Sequence, residues 1–132
     1  MINLNHTKLM TPFLIKKYGA IYVETTVEKE DEFTFSRTSI IRQTSTNNKI
    51  LDAKIKVQKS ALPALFIEQL KNTNIAFGQL LQDHQIEVNI ENLQLFTPRL
   101  ELTKKQRRGR RVDIVDAVSH VLICHVEEIL VN

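Results

Sequence analysis

The sequence predicts an α+β fold in which helices cover an antiparallel β-sheet. Short stretches rich in β-branched residues are separated by polar turns, and one stretch between them, residues 60–84, has helical periodicity instead. Strands that are joined mainly by hairpin turns, with helices inserted once, are typical of this class. The 132 residues can bury a core of their own. We therefore predict a single domain over residues 1–132.

The stretch over residues 60–84, SALPALFIEQLKNTNIAFGQLLQDH, predicts two short helices with a polar break at residues 72–74. Ser60 is a candidate N-cap, and Pro63 falls in the first turn, where a missing N–H costs little. Their inward apolar residues are predicted to be Leu62, Leu65, Phe66, Leu70, Phe77, Leu80 and Leu81. Gly78 lies early in the second helix, where glycine costs up to about 1 kcal/mol relative to alanine. Either a packed helix or a ligand approaches its backbone closely, and composition favours packing.

The residues before this stretch predict one helix and three strands. Residues 1–19 form an amphipathic helical segment with Leu9, Met10, Phe13 and Leu14 facing inward and Gly19 as the stop. Strands follow over residues 20–27, 33–43 and 50–58. The acidic cluster at residues 28–32 is predicted to be a turn or a solvated strand end, and residues 44–49 a hairpin turn.

Strand alternation places a charge among apolar side chains in residues 33–43. The predicted inward face consists of Phe33, Phe35, Arg37, Ser39 and Ile41. A buried arginine needs a partner, because an unpaired buried charge is costly. Arg37 therefore binds a ligand anion, forms a structural ion pair, or lies at an edge where its guanidinium reaches water.

The last part of the chain predicts further strands, over residues 86–90, 112–118 and 121–131, with Pro98 marking a break and a turn at residues 119–120. Both faces of the final strand are rich in apolar residues, which predicts a central strand covered on both sides. Glu128 lies on one of these faces and is the second candidate inward charge. If Glu128 does not contact a ligand, it pairs with a structural lysine or arginine, or it is exposed where the strand frays.

The positive charge is concentrated in residues 104–111. Six lysines and arginines lie there, and without them the net charge changes from +3 to −3. Such a segment is either a solvated loop, which we favour, or a contact for nucleic acid or an anionic ligand. No aromatic residues interleave with these charges, so nucleic acid is not the predicted partner.

Composition also limits the class of protein. A single cysteine, Cys124, excludes an internal disulfide and fits a reducing compartment. No apolar run reaches the roughly 20 residues of a membrane helix, and the N-terminal residues lack signal-peptide features. We predict a cytoplasmic protein without a membrane segment; the sequence leaves its oligomeric state open.

Several kinds of chemistry are excluded by spacing. The four histidines, His6, His84, His120 and His125, are too scattered for a zinc site. Cys124 and His125 are neighbours on one strand and point to opposite faces, so they cannot be a nucleophile and its base. Nucleotide-binding and serine-hydrolase motifs are absent from the sequence. The remaining candidates, Arg37 and Glu128, are suited to binding a small polar anion. No metal site is predicted.

Several short motifs, in order, resemble those of one family. They are Met10-Thr11 before the first strand, Arg37 in SRTSII, the stretch LPALFIEQLKNTNIAFGQLL, Gly109-Arg110-Arg111, and the terminal VEEILVN. From about Leu9 onward the chain resembles the chorismate lyases (chorismate–pyruvate lyases) and their relatives, the UTRA-like effector-binding domains of some bacterial transcription regulators. The chain departs from the family pattern in two places. Ala76 replaces a proline, and the longer spacing after Gly109 also allows Glu127 or His125 in the glutamate's place.

The resemblance implies a chorismate lyase-like sheet with helical flaps over a buried ligand. It implies that Arg37 holds a carboxylate, that Met10 packs on the ring, and that Phe77 and Gly78 present backbone N–H groups. Glu128 then contacts the hydroxyl or the departing enolpyruvyl oxygen. The implied reaction is elimination of pyruvate from chorismate to give 4-hydroxybenzoate, without a cofactor. The alternative is a non-catalytic domain that binds an aromatic acid.

Overall fold

The structure, a computed structural model, describes residues 2–97 and 107–131. Its helices are α1 (Thr11–Tyr18), α2 (Ala64–Asn72) and α3 (Phe77–Asp83). Its strands are β1 (Ile21–Glu30), β2 (Thr34–Gln43), β3 (Lys49–Gln58), β4 (Val88–Phe96), β5 (Arg108–Asp116) and β6 (Leu122–Leu130). Within the described ranges these six strands form one antiparallel sheet in the order β1-β2-β3-β6-β5-β4. The predicted α+β class with an antiparallel sheet is confirmed.

The order of the strands follows from their connections. Tight turns join β1, β2 and β3 into a meander, whereas α2 and α3 occupy the connection from β3 to β4. Strand β6 then inserts between β3 and β5, which leaves β1 and β4 at the edges. In the turn before β6, the Asp116 carboxylate accepts hydrogen bonds from the N–H groups of Val118 and Ser119. His120 has the positive φ of 61° that such a turn uses. The predicted central position of the last strand is confirmed.

The helices and the N-terminal segment pack on one face of the sheet and form two apolar clusters there. Phe66, Leu70 and Leu80 of α2 and α3 pack on one half of this inner face. Leu4 and Leu14, from the N-terminal segment and α1, pack on the other half. A space between the two clusters remains above the middle strands.

The outer face of the sheet is polar, so the prediction that β6 is covered on both sides is wrong. The side chains of His125 and Arg111 are 54% and 51% exposed, and Lys54 and Lys56 are also exposed. These residues follow the alternation of their strands, because helices pack only against the other face.

The start of α2 differs from the prediction. Ser60 is not its N-cap, because residues 59–61 form a separate 3₁₀ turn and Pro63 takes the N-cap position. The later start changes which side faces the core, so Leu65 is exposed and Ile67 is buried. Phe33 is also exposed, at 70%, because it belongs to the turn before β2 and not to the strand.

Two charged segments lie at least partly in strands; for the acidic cluster a strand end was one of the two predicted alternatives, whereas the basic segment was predicted to be a loop. Strand β1 continues through most of the acidic cluster to Glu30, whose carboxylate contacts Lys59 and Lys71 of the α2 region. Residues 108–111 of the basic segment belong to β5, so the solvated-loop interpretation is wrong for this part. Lys104, Lys105 and Pro98 lie outside the described residues. No helix in the described ranges is long and apolar enough to cross a membrane.

Candidate anion-binding site

The space between the two apolar clusters is a pocket above the middle strands, which we call the inner pocket. Inward residues of β2, β3, β5 and β6 form its floor, and residues 9–11 and 76–78 form its roof. The volume that the centre of a water molecule can reach inside it is about 70 Å³. A cavity needs roughly 10–15 Å³ of such volume to hold one water. Most of its lining is apolar. Among the residues that the structure describes, the charged ones in this lining are Arg37, Arg110 and Glu128.

The strand register fixes how these charges are arranged. Ser39, Ala53, Glu128 and Arg110 lie side by side in one row across four strands. Arg37 belongs to the next row, two residues along β2 and two strands away from Glu128. Neighbouring strands are about 4.8 Å apart and successive residues about 3.4 Å, so the Cα atoms of the two residues are about 12 Å apart. The small side chains of Ser39 and Ala53 leave open space beside them.

Arg37 is a buried cation whose hydrogen bonds are incomplete. It is 1% exposed, and its Nη1 and Nη2 donate to the carbonyls of Leu70 and Ile75 at 3.4 and 3.1 Å. Its Nε has no partner, and no carboxylate of the described residues forms an ion pair with it. Burial lowers the pKa of Arg37 to about 10, so the group stays protonated at neutral pH. A charge in this state lacks the anion that buried charges require.

Glu128 forms a buried ion pair with Arg110. Its Oε1 accepts from Nε and Nη2 of Arg110 at 3.0 and 2.7 Å. Its Oε2 has no hydrogen-bond partner among the described residues, and Glu128 lines the inner pocket. Burial raises the pKa of the Glu128 carboxyl, and the Arg110 guanidinium opposes this rise. Arg110 therefore holds one of the two carboxylate oxygens through both of its hydrogen bonds to Glu128.

Arg110 also connects this pair to the N-terminal segment. Its Nη1 donates to the carbonyls of His6 and Lys8 at 2.8 and 3.0 Å, and Arg108 donates to the carbonyl of Ile2 at 2.8 Å. The two inward arginines of β5 thus hold the segment that carries Met10 over the pocket. Sequence reasoning placed them in a loop and missed their role. Had the strand been predicted to begin at Arg108, alternation would have placed Arg110 on the same inward face as the apolar Val112.

The structure brings together the five residues that the sequence and the resemblance assign to the ligand site. Met10, Arg37, Phe77, Gly78 and Glu128 all line the inner pocket. The two alternatives to Glu128 do not. On the outer face, Glu127 pairs with Arg111 at 2.9 Å, and His125 contacts Asp113 at 2.5 Å. Glu128 is the inward carboxylate.

Other chemistry is not supported by the described part of the chain. It contains no group of three or more histidine, cysteine or acidic residues that could hold a metal ion. Cys124 is fully buried, and burial raises the pKa of its thiol, so it is not positioned to act as a nucleophile. Three arginines of the basic segment are engaged as well: Arg108 and Arg110 hold the N-terminal segment. Arg111 pairs with Glu127 and stacks on Phe96, with its Cζ 4.0 Å from the ring centroid.

Gly78 is not required by packing between helices. A Cβ added there would lie 3.5 Å from Cδ1 of Leu9 and 3.8 Å from Oγ1 of Thr11, which are ordinary contacts. We expect Gly78→Ala to leave the free energy of unfolding unchanged or to raise it by up to about 1 kcal/mol, because alanine favours the helix. If the glycine serves a ligand, the same variant binds aromatic acids more weakly. Urea unfolding and calorimetric titration test the two effects separately. A loss of stability would show that packing needs the glycine.

His6 makes the stability of the N-terminal segment depend on pH. Its ring stacks on Phe13 with centroids 4.3 Å apart, and burial, followed by Arg110 and Lys8, lowers its pKa below the usual 6.5. The unfolded chain therefore binds the proton more tightly, and this contribution to stability falls as the pH drops below about 6.5. We expect the stability advantage of the wild type over His6→Asn to shrink between pH 7.5 and 5.5. Urea unfolding at both pH values measures it, and a constant difference would contradict the assignment.

Comparison of the chain with models of known protein families and with curated proteins finds no match.

Proposed function

We propose that the protein binds a small aromatic carboxylate in the inner pocket and acts on chorismate as a carbon–oxygen lyase, releasing pyruvate and 4-hydroxybenzoate. The observation that carries the anion site is Arg37, a buried guanidinium without a carboxylate partner among the described residues. The choice of chorismate, and a chorismate lyase-like form of the sheet, rest on the family resemblance of the sequence.

In this proposal Arg37 holds the ring carboxylate through charge-assisted hydrogen bonds. Met10 and Phe77, which line the roof, pack against the ring. The backbone N–H groups of Phe77 and Gly78 begin α3, which has no side-chain cap, and the first N–H groups of a helix lack partners within it. Glu128 accepts a hydrogen bond from the hydroxyl group or contacts the departing enolpyruvyl oxygen through Oε2.

The proposed reaction needs no cofactor. The bond between ring C3 and the enolpyruvyl oxygen breaks, and the hydrogen on C4 leaves as a proton, so the ring becomes aromatic and keeps its C4 hydroxyl. The released enolpyruvate takes up a proton and becomes pyruvate, which balances the atoms without an oxidant. The protein orients the substrate in a dry, mostly apolar space and stabilises the shifting charge.

A second candidate is binding of an aromatic acid without turnover, as in the regulator domains that the sequence also resembles. One observation favours it. Both hydrogen bonds from Arg110 go to Oε1 of Glu128, and this guanidinium opposes the rise that burial causes in the pKa of the carboxyl. A carboxylate held in this way can accept a hydrogen bond from a ligand hydroxyl without removing its proton.

Incubation with chorismate tests both candidates. Pyruvate and the hydroxybenzoates are followed by chromatography, with Arg37→Met and a protein-free sample as controls. Formation of 4-hydroxybenzoate that depends on Arg37 supports the lyase, and another isomer supports the same site with different chemistry. Absence of turnover together with saturable binding of 4-hydroxybenzoate supports the binding domain. Absence of both contradicts the proposed function.

A further inference from the structure

We infer that the outer face of the sheet holds a second anion site, which binds a phosphate group with two negative charges beside His125. The site is a groove over the middle of β3, β6, β5 and β4, on the opposite face of the sheet from the inner pocket, and we call it the outer groove. It is independent of the proposed function. Its charged lining residues, besides His125, are Lys54, Lys56, Arg111, Asp113 and Glu127.

A chain of hydrogen bonds fixes the orientation of the His125 ring. Its Nδ1 contacts Oδ1 of Asp113 at 2.5 Å, and Asn92 donates from Nδ2 to Oδ2 of the same carboxylate at 2.7 Å. Asn92 has φ 56° and lies in a bulge of β4, between Glu91 and Gln94. Bulges re-aim side chains and are frequent next to functional sites. The Asp113 carboxylate is thus engaged through both oxygens, while Nε2 of His125 has no hydrogen-bond partner in the described ranges.

Three cations surround this open nitrogen. Lys56 lies directly opposite His125 in the register of β3 and β6, so their Cβ atoms are about 5 Å apart. Lys54 and Arg111 lie on the diagonals from His125, about 7–8 Å away, which long side chains can span. Donors from three strands can therefore reach one point above the sheet.

The carboxylates of the outer groove leave an excess of positive charge. Glu127 accepts from Nε of Arg111 at 2.9 Å, and Lys56 has no ion pair within residues 2–97 and 107–131. Three cations and two carboxylates sum to +1, and protonation of His125 makes the sum +2. Glu91 is opposite Asp113 in the register but does not line the groove.

A phosphate dianion fits these charges and donors. Its oxygens point in several directions and can accept charge-assisted hydrogen bonds from each of the three strands. A histidine gains its positive charge within the range from pH 8 down to pH 5, and Nε2 of His125 then becomes a donor to the anion. We therefore expect anions to bind more tightly as the pH falls and more weakly as it rises.

Sulfate is the first probe, because it keeps two negative charges between pH 5.5 and 7.5 and only the protein titrates. Backbone amide NMR signals around residues 56 and 125, followed at low ionic strength, report binding there separately from binding at Arg37. Sulfate is expected to bind at least about fivefold more tightly at pH 5.5 than at pH 7.5, since one unit charge at contact distance changes affinity by about this factor even in water. Absent binding, or binding that does not depend on pH, would overturn the inference.

Two variants of exposed residues test the groups involved. His125→Gln is expected to abolish the pH dependence, and Lys56→Met is expected to weaken sulfate binding at pH 5.5 at least about fivefold. The matched controls are His120→Asn, in the turn before β6, and Lys16→Met, on α1. Both controls are expected to bind sulfate as the wild type does. Equal weakening in Lys56→Met and Lys16→Met would overturn the site, because a general loss of positive charge would then explain the effect.

Two phosphate esters test the number of charges on the ligand. At pH 7.5 methyl phosphate carries close to two negative charges and dimethyl phosphate only one. Methyl phosphate is expected to bind at least about fivefold more tightly, and equal affinities would contradict a site for a dianion. Inorganic phosphate then identifies the source of the group. Tighter binding of methyl phosphate supports a phosphorylated small molecule, and tighter binding of inorganic phosphate supports the free ion.

Discussion

Arg37→Met is expected to weaken binding of 4-hydroxybenzoate at least about 100-fold and to leave the fold intact. Two hydrogen bonds to a charged group contribute roughly 1.5–3 kcal/mol each, and each 1.4 kcal/mol is about tenfold in affinity. Calorimetric titration measures the loss. Arg42→Met is the matched control, because Arg42 lies on the same strand but pairs with Glu24 at 2.6 Å outside the pocket.

The effect of Arg37→Met on stability is expected to be small for a fully buried residue, below about 2 kcal/mol in either direction. The variant loses the hydrogen bonds to the carbonyls of Leu70 and Ile75, about 1 kcal/mol each, but it also removes an uncompensated buried charge. Ligand should raise the melting temperature of the wild type and not that of the variant. Retained binding in Arg37→Met would refute the site.

Arg110→Ala is expected to lower the free energy of unfolding by about 3–5 kcal/mol, because breaking a buried ion pair leaves the other charge uncompensated. The variant also releases the carbonyls of His6 and Lys8. The neighbouring Arg111→Ala breaks the exposed pair with Glu127 and is expected to cost less than about 1 kcal/mol. Urea unfolding of both variants measures the contrast.

A double variant separates the ion pair from the volume of the side chains. Arg110→Met with Glu128→Met removes both charges and is expected to cost less than Arg110→Ala alone, because no buried charge is left without its partner. If Arg110→Ala and Arg111→Ala lower the free energy of unfolding equally, the buried pair stabilises the fold no more than the exposed one.

The two errors in predicted burial have a common cause, the uncertain ends of the elements. Phe33 lies just before β2, and the expected inward alternation does not apply to a turn. Leu65 was given the wrong side of its helix because α2 begins after Pro63 and not at Ser60. Alternation and helical periodicity are strong inside an element and say little about where it begins.

Local pattern was sufficient for the inward direction of Arg37, because side chains alternate along a strand whatever its neighbours are. Both faces of the last strand are rich in apolar residues, so the choice between Glu127 and Glu128 needed the structure. Local pattern was also sufficient for the α+β class, since strands and helices follow each other in an order that the sequence displays. The role of Arg110 needed the tertiary structure, because its partners Glu128 and His6 are 18 and 104 residues away in the chain. The structure also shows that Arg37 is buried and has no ion pair among the described residues, whereas its ligand anion stays a proposal. Whether a buried charge has a partner depends on every residue around it, and only the packed sheet, with β6 placed between β3 and β5, shows which residues those are.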